Sequence, residues 1–503
     1  MPLALDLEAY AAEAETFVGS MDREYYLHFA GHKRELEIAP IYDRHRKLFE
    51  QAAVEELRER LEKMRPGRPG PAGPDDDERR TRYLLELAVG GFMGEATKAE
   101  ESELAEREAS LEVELDGRRE PYRQASITQA NEADPERRAR IEQARLGILD
   151  AELNPLHVEV TERFHALARE LGWRSYREMC EDLKAVDLAA LERQTGGFLD
   201  ATARDYAANL DPQLRSQIGI GFDSLRRSDL PYFFRAPAFD AYFPEERLLP
   251  AFAETLAGLG VDLHGQPNVH LDTEHRPQKS PRAFCSPVQV PREVYLVIPR
   301  TGGRDDFAAL LHEGGHTEHY ANVDPSLPFE FRHLGDNSVT EGFAFLLEHL
   351  TEDASWLRTV MGVDDAEAYL TFARASKLIF LRRYAAKLRY ELELHAGERP
   401  LSEMPELYAS HLSDAVGVDW PRVTYLSDVD PGYYAANYLR AWAFETHLRA
   451  TLRERFGEEW FTRAEAGDLL RSIWREGQRF DAGELLARVT DEQLDFDVML
   501  AEV

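Results

Sequence analysis

The chain has 503 residues, of which 60 are Lys or Arg and 93 are Asp or Glu, so its formal net charge is −33; 43% of its residues are hydrophobic. This composition excludes a mainly disordered protein and provides enough apolar residues for a sizeable core. The acidic excess, with no long basic run to offset it, repels phosphates and anionic lipid headgroups. We therefore expect neither nucleic acid nor a membrane surface as a partner.

The number of cysteines and the residues at the N-terminus indicate the cellular compartment of the protein. Two cysteines occur, Cys180 and Cys285, too far apart in sequence for a Cys-based zinc ribbon and too few for a disulfide framework. The first residues carry Asp6, Glu8 and Glu13 instead of the basic residues of a secretory leader. No apolar run approaches the roughly 18 residues of a membrane span. We therefore expect a mature, cytoplasmic protein.

Apolar and charged residues at spacings of three and four predict helices over most of the chain. The clearest helical segments are 8–20, 50–64, 79–92, 135–171 and 365–395. Prolines and glycines in the segment 65–78 predict a surface loop.

Three later segments interrupt or vary this pattern. The highly charged segment 98–119 predicts a long, partly exposed helix or a hairpin, and the aromatic residues and prolines of 232–249 predict a packed irregular segment. In 268–300, β-branched and aromatic residues alternate in short runs bounded by prolines, which predicts a small sheet.

A metal-binding pattern follows the predicted sheet. The sequence DDFAALLHEGGHTEHY begins at Asp305 and places His312 and His316 four residues apart on a helix that Asp305 or Asp306 can cap. Both imidazoles then project from one face of the helix. Glu313 lies where its carboxylate can act on a water molecule beside a bound metal. This is the HExxH arrangement of zinc hydrolases.

The residues around this pattern favour a catalytic metal site. Glycine costs about 1 kcal/mol in a helix relative to alanine, so Gly314 and Gly315 predict a close backbone approach. A second helix begins near Asn337 and brings Glu341, 25 residues after His316, as a third ligand. Two histidines and one glutamate leave one coordination position open, as catalytic zinc requires.

A further carboxylate strengthens this interpretation. Glu348 lies seven residues after Glu341 and on the same helix face, where it could accept the spare N–H of His312 or His316. The alternative is that all five residues are ordinary core or surface side chains without a metal.

Two motifs resemble a known family. HEGGHTEH, from His312, and TEGFAFLLE, from Thr340, are similar to the ligand-bearing helices of the thimet oligopeptidase and oligoendopeptidase family. The angiotensin-converting enzyme family, also gluzincins, is similar more loosely. The resemblance is traceable from about residue 80 to residue 480, with KSPRAFC at 279–285 matching the region before the catalytic helix.

The resemblance implies a fold and a domain organisation. We expect a mostly α, large helical two-lobed zincin with a deep central cleft and one small β-sheet beside the catalytic HExxH helix. Residues 1–265 would form a mainly helical half that supplies the cleft wall or lid. Residues 266–503 would form the catalytic half, and both would build one integrated catalytic unit.

A third motif lies near the C-terminus. DPGYYAANYLRAWAFE, from Asp430, is similar to the family segment Gly-Tyr-x-Ala-x-x-Tyr-x-x-Leu-Trp. The resemblance implies that Tyr433 or Tyr434 stabilises the oxyanion of the reaction. The chain departs from the family at two positions: Asp428 replaces a histidine, and Arg440 replaces a later catalytic tyrosine.

Two further residues are candidates for supporting roles beside these. The resemblance makes His319 and Tyr438 candidates for substrate binding or for support of the ligands. Arg440 could substitute for a tyrosine as the oxyanion donor.

We therefore predict a zinc-dependent oligopeptidase that binds one Zn²⁺ per chain and hydrolyses short peptides, with Glu313 as general base. The strand at 294–298 could pair with the main chain of the substrate. One alternative is a metallocarboxypeptidase or dipeptidase in which Arg440 binds the C-terminal carboxylate. Another is a catalytically inactive peptide-binding descendant, which Asp428 favours. The sequence does not indicate an oligomeric state.

Overall fold

Helices make up most of the chain, as the sequence predicts. The structure, a computed structural model, describes residues 5–64, 75–299 and 302–503. Most of the predicted loop 65–78 lies outside the described residues. The helices of the first half are α1 (Leu7–Phe29), α2 (Ala39–His45), α3 (Gln51–Met64), α4 (Asp76–Ser110), α5 (Tyr122–Ala130), α6 (Pro135–Ile148), α7 (Asn154–Glu170), α8 (Tyr176–Lys184), α9 (Leu188–Ala203), α10 (Tyr206–Ile218), α11 (Leu230–Arg235) and α12 (Leu248–Gly258).

The second half continues in the same way after a small sheet. Its helices are α13 (Arg304–Ala321), α14 (Phe329–His333), α15 (Asn337–Glu348), α16 (Ala354–Thr359), α17 (Glu367–Ala396), α18 (Met404–Val416), α19 (Tyr434–Phe456), α20 (Ala464–Trp474) and α21 (Ala482–Val489). Within the described ranges, no helix is both long enough and apolar enough to cross a membrane.

The chain forms two compact units, each built from separated segments. The first unit contains residues 1–92, 239–370 and 440–495, and the second contains 93–238, 371–439 and 496–503. This division differs from the predicted halves 1–265 and 266–503. Helical periodicity shows which face of a helix is buried, but it does not show which of the two units buries that face. The sequence therefore does not show that the chain passes repeatedly from one unit to the other.

The small sheet predicted within 268–300 belongs to the first unit. Its strands are β3 (Val269–Asp272), β4 (Phe284–Gln289) and β5 (Glu293–Val297), in the order β3-β5-β4. β5 pairs in parallel with β3 and antiparallel with β4, with Cys285 opposite Leu296. Because β5 is paired on both sides, it has no free edge for a substrate, and the prediction that the strand at 294–298 pairs with the substrate main chain is wrong. β4 is an edge strand of this sheet. Strand order depends on tertiary pairing, which the local sequence does not encode.

Close helix packing positions α13 in the first unit. A Cβ at Gly315 would lie 2.5 Å from the carbonyl oxygen of Phe343 on α15, so the two helices approach as closely as their backbones allow. Gly314 faces a ring instead, because its Cβ would lie 2.4 Å from a carbon of Phe252. The predicted aspartate cap is wrong: α13 begins after Gly303, and both Asp305 and Asp306 lie in its first turn.

The second unit contains a hairpin in addition to its helices. Strands β1 (Glu112–Leu115) and β2 (Arg118–Pro121) pair antiparallel and follow the C-terminal end of α4. Val113 of β1 packs in a buried cluster with Ala125 of α5 and Ile141 of α6. The charged segment 98–119 therefore contains both structures that its sequence left open, a helix and then a hairpin.

Candidate metal centre

Three side chains of the first unit converge on one point. His312 and His316 lie one turn apart on α13, and Glu341 lies on α15. The distances from Glu341 Oε2 are 3.4 Å to His312 Nε2 and 3.7 Å to His316 Nε2. One ligand atom from each of the three residues lies within 4.8 Å of the others. The structure thus brings together the three residues that the sequence predicts as ligands.

The far nitrogen of each imidazole has its own partner. His312 Nδ1 lies 2.8 Å from Glu348 Oε2, and His316 Nδ1 lies 2.8 Å from Thr340 Oγ1. An ionised carboxylate only accepts hydrogen bonds, so His312 Nδ1 donates to Glu348. Thr340 can accept in the same way from His316. In the neutral form of each imidazole, Nε2 then carries the lone pair and faces the point beside Glu341.

The donor set and its spacing fit zinc. A tetrahedral zinc ion with ligand bonds of roughly 2.0–2.2 Å separates its ligand atoms by about 3.3–3.5 Å. The two distances to Glu341 Oε2, 3.4 and 3.7 Å, are close to this separation. Two imidazoles and one carboxylate are a typical set for a catalytic zinc site.

Glu313 is held beside the ligands by the edge strand. The backbone N–H of Cys285 on β4 donates to Glu313 Oε2 at 2.8 Å. Burial raises the pKa of Glu313 to about 7, although His312 and the Cys285 N–H act in the opposite direction. One carboxylate oxygen is therefore fixed by the sheet, and burial favours the protonated form of the group.

The two candidate ligand histidines differ in their proton affinity. Burial lowers the pKa of His316 to about 4. Burial also lowers the pKa of His312, but its hydrogen bonds to Glu341 and Glu348 outweigh this effect and hold the pKa well above its usual value. A metal that binds at Nε2 would therefore have to displace a proton from His312.

Two other candidates of the first unit are engaged away from this point. His319 is fully buried, its ring packs on Phe343, and its Nε2 lies 3.3 Å from the carbonyl oxygen of Gly477. Arg440 donates from Nη1 to Ser338 Oγ at 3.0 Å and lies 2.8 Å from Asp336 Oδ2. These contacts give both residues structural partners, and they offer no support for a role of either in binding substrate.

The tyrosine candidates belong to the second unit. Tyr433 is fully buried, and its hydroxyl donates to the carbonyl oxygen of Glu391 at 3.3 Å. Tyr434 and Tyr438 are half-buried and their rings contact each other, with centroids 4.9 Å apart. The role of these tyrosines at the oxyanion stays a prediction.

Asp428 is also engaged within the second unit. Its carboxylate pairs with Arg383 and accepts a hydrogen bond from the Tyr408 hydroxyl at 2.6 Å. The residue that departs from the family motif therefore has defined partners of its own.

Two contacts of the centre were missed by sequence reasoning. Thr340 directly precedes Glu341 in the sequence, and a hydroxyl next to a candidate ligand is a signal for such a contact. Cys285 contributes a backbone group, so its side chain gave no signal, although it lies in the segment 279–285 that resembles the family.

The comparisons with known proteins concern the fold. No protein-family model matches the sequence, and no curated protein matches it. Among solved structures, the chain resembles a protein described as an oligoendopeptidase F from Bacillus anthracis str. Ames. The TM-score is 0.65 at 14% sequence identity, and the match covers 97% of this chain and 88% of the other. The mostly α oligoendopeptidase fold predicted from the sequence is thereby confirmed.

Proposed function

We propose that the protein is a zinc-dependent metallopeptidase that hydrolyses short peptides. The observation that carries this proposal is the convergence of His312, His316 and Glu341, with Glu313 held at the same place by the edge strand. The fold shared with a protein described as an oligoendopeptidase supports a peptidase that acts on short peptides.

The residues of the centre have separate roles in this proposal. His312, His316 and Glu341 would hold the zinc ion, and Glu348 and Thr340 would orient the two imidazoles. When bound, the ion would supply Lewis acidity, which acidifies water and polarises a peptide carbonyl.

Glu313 would carry the protons. Its carboxylate would remove a proton from the attacking water and return it to the amine that leaves. Because the Cys285 N–H occupies Oε2, Oε1 is the atom that would exchange the proton.

The edge strand also suggests how a peptide would bind. β4 is the outer strand of the sheet on the side of Glu313. A peptide main chain beside β4 would lie close to Glu313. Because the Cys285 N–H is bound to Glu313 and Pro287 has no N–H, such a peptide would bind by donating its own N–H groups to carbonyl oxygens of β4, with little dependence on its sequence.

The carboxypeptidase alternative depends on Arg440. This residue lies 2.8 Å from Asp336 Oδ2 and donates to Ser338, so the structure offers no observation in favour of a role in binding a C-terminal carboxylate. The inactive alternative is disfavoured by Glu313, since a pure binding protein needs no general base at this position.

The test is digestion of short synthetic peptides of mixed sequence, followed by mass spectrometry. We expect the zinc-loaded parent to cleave them and Glu313→Gln to be inactive while it still binds zinc. Glu318→Gln is the matched control, because Glu318 is a buried carboxylate of the same helix that accepts from Gln266 at 2.8 Å. The fragment lengths distinguish endo- from exo-cleavage. Zinc binding without cleavage by the parent would favour the inactive alternative.

A further inference from the structure

We propose that Arg440 is a positioning residue of the candidate metal centre, because it fixes the first turn of the helix that carries Glu341. This inference rests on the proposed function, since it concerns the same metal site. It assigns to Arg440 a role in holding a ligand instead of one in binding substrate.

The contacts of Arg440 concentrate on one helix end. Its guanidinium lies 2.8 Å from Asp336 Oδ2 and donates to Ser338 Oγ at 3.0 Å. Asp336 is the N-cap of α15, and its Oδ1 accepts from the backbone N–H of Ser338 at 3.0 Å. The side chain of Arg440 is only 11% exposed, so water screens the pair weakly.

The same guanidinium lies near a second N-cap. Asp481 caps α21, and its Oδ1 is 3.9 Å from Arg440 Nη2. The backbone N–H at the start of α21, that of Ala482, donates to Asp336 Oδ2 at 3.0 Å. Burial and the nearby Asp336 both raise the pKa of Asp481, and Arg440 opposes them. Without Arg440, the largely buried N-cap carboxylate of Asp336 would lose its paired cation and would face the partly exposed carboxylate of Asp481.

The helix end leads directly to the metal centre. Thr340 and Glu341 lie four and five residues after Asp336, in the second turn of α15. Farther along, α15 contacts α19 at Gly342, where a Cβ would lie 2.4 Å from a ring carbon of Phe444. Arg440 is on the same helix, so α19 fixes α15 on both sides of Glu341. Loss of the Arg440 contact would leave the N-terminal end of α15, which carries Thr340, without this anchor.

The chain offers a matched control on the same helix. Arg453, also on α19, lies 2.7 Å from Asp353 Oδ2, and Asp353 is the N-cap of α16. The chemistry is the same, an arginine of α19 bound to a capping aspartate. α16 carries none of the candidate ligands, so a structural effect of this kind should not reach the metal.

The test compares Arg440→Met, Arg440→Lys and Arg453→Met. Zinc affinity is measured by competition with a chromogenic chelator, the ligand geometry by visible absorption of the Co²⁺-loaded protein, and stability by thermal melting. We expect zinc to bind Arg440→Met about tenfold more weakly than the parent, with a changed Co²⁺ spectrum. Arg440→Lys should recover part of the affinity, because it keeps the charge beside Asp336.

The control separates this role from a general loss of stability. Arg453→Met should melt at a lower temperature than the parent but keep the parental zinc affinity and Co²⁺ spectrum. Equal zinc affinity and equal spectra for Arg440→Met and Arg453→Met would overturn the inference alone. If the parent binds no zinc, the proposed function and the inference fail together. Should Arg440→Met not fold, Asp336→Asn removes the same ion pair while an amide oxygen still caps α15, and parental zinc affinity in that variant would also overturn the inference.

Discussion

Two pairs of histidines, one in each unit, have similar ring geometry but different hydrogen-bond partners. In the first unit, His312 and His316 have ring centroids 4.9 Å apart at an interplanar angle of 83°. In the second, His165 and His395 have centroids 5.3 Å apart at 85°. Ring distance and angle alone therefore do not distinguish a metal site from a packed core.

The difference lies in what each ring nitrogen binds. His165 Nε2 lies 2.9 Å from His395 Nδ1, so these two rings share one hydrogen bond with each other. In the candidate metal centre, Glu348 and Thr340 hydrogen-bond to the Nδ1 atoms of His312 and His316, and both Nε2 atoms lie near Glu341. The partners of the far nitrogens decide whether two histidines can offer their lone pairs to the same ion.

The largest effect that we expect from this comparison is in the core pair and depends on pH. Burial lowers the pKa of His165 to about 4, whereas an unfolded histidine titrates near 6.5. The unfolded chain therefore binds more protons between these pH values, and the contribution of His165 to stability is lost as the pH falls from about 6.5 to 4. The expected loss is on the order of 3 kcal/mol.

Urea unfolding at several pH values measures this effect. His165→Gln should lose less unfolding free energy between neutral pH and pH 4 than the parent does. His264→Gln, at an exposed histidine, is the control, and its unfolding free energy should change with pH as that of the parent does. The same pH dependence in all three proteins would show that the fold does not keep the His165 imidazole neutral.

A large effect on rate is expected at the tyrosines of the second unit. If Tyr434 stabilises the oxyanion, Tyr434→Phe should lower kcat about 10²-fold. Tyr433→Phe should mainly lower stability, because its buried hydroxyl donates to the carbonyl oxygen of Glu391. Steady-state kinetics with one peptide, together with thermal melting, separates the two outcomes. If Tyr433→Phe, Tyr434→Phe and Tyr438→Phe all keep the full rate, the oxyanion donor lies elsewhere.

A smaller effect is expected where a far nitrogen loses its partner. Thr340→Val removes the hydroxyl that His316 Nδ1 binds, and zinc should then bind about tenfold more weakly. Thr451→Val is the control, since that buried hydroxyl bonds to the carbonyl oxygen of His447. Zinc competition measures both variants. Equal affinities would mean that the partner of the far nitrogen does not tune the site.

The smallest effect concerns glycines in the two units. Nothing lies within 4 Å of a Cβ placed at Gly196 on α9, so Gly196→Ala should stabilise the protein by about 0.5–1 kcal/mol. A Cβ at Gly315 would lie 2.5 Å from the carbonyl oxygen of Phe343, so Gly315→Ala should destabilise the protein. Urea unfolding distinguishes the signs. Stabilisation by Gly315→Ala would contradict the close approach of α13 and α15.

The sequence predicts what depends on local spacing. His312, Glu313 and His316 share one helix turn, and Glu341 and Glu348 share one helix face, so their relative positions follow from helix geometry. The mostly α fold and the small sheet follow from periodicity and composition in the same way.

What the sequence does not predict depends on tertiary contacts. The central position of β5 is set by its pairing with both β3 and β4, which the alternation of residues within each strand does not show. The Cys285 N–H reaches Glu313 through the backbone, which side-chain patterns do not report. The pairing of Arg440 with Asp336 joins residues 104 positions apart, whereas the sequence motif indicates Arg440 only as a possible oxyanion donor or as a residue that binds a C-terminal carboxylate.

The most direct test of the account is the zinc stoichiometry and affinity of three proteins: the parent, His316→Ala and His165→Gln. Each is titrated with zinc against a chromogenic chelator. We expect one tightly bound zinc ion per chain in the parent and in His165→Gln, and loss of tight binding in His316→Ala. Equal tight binding in His316→Ala and the parent would contradict the assignment of the metal centre.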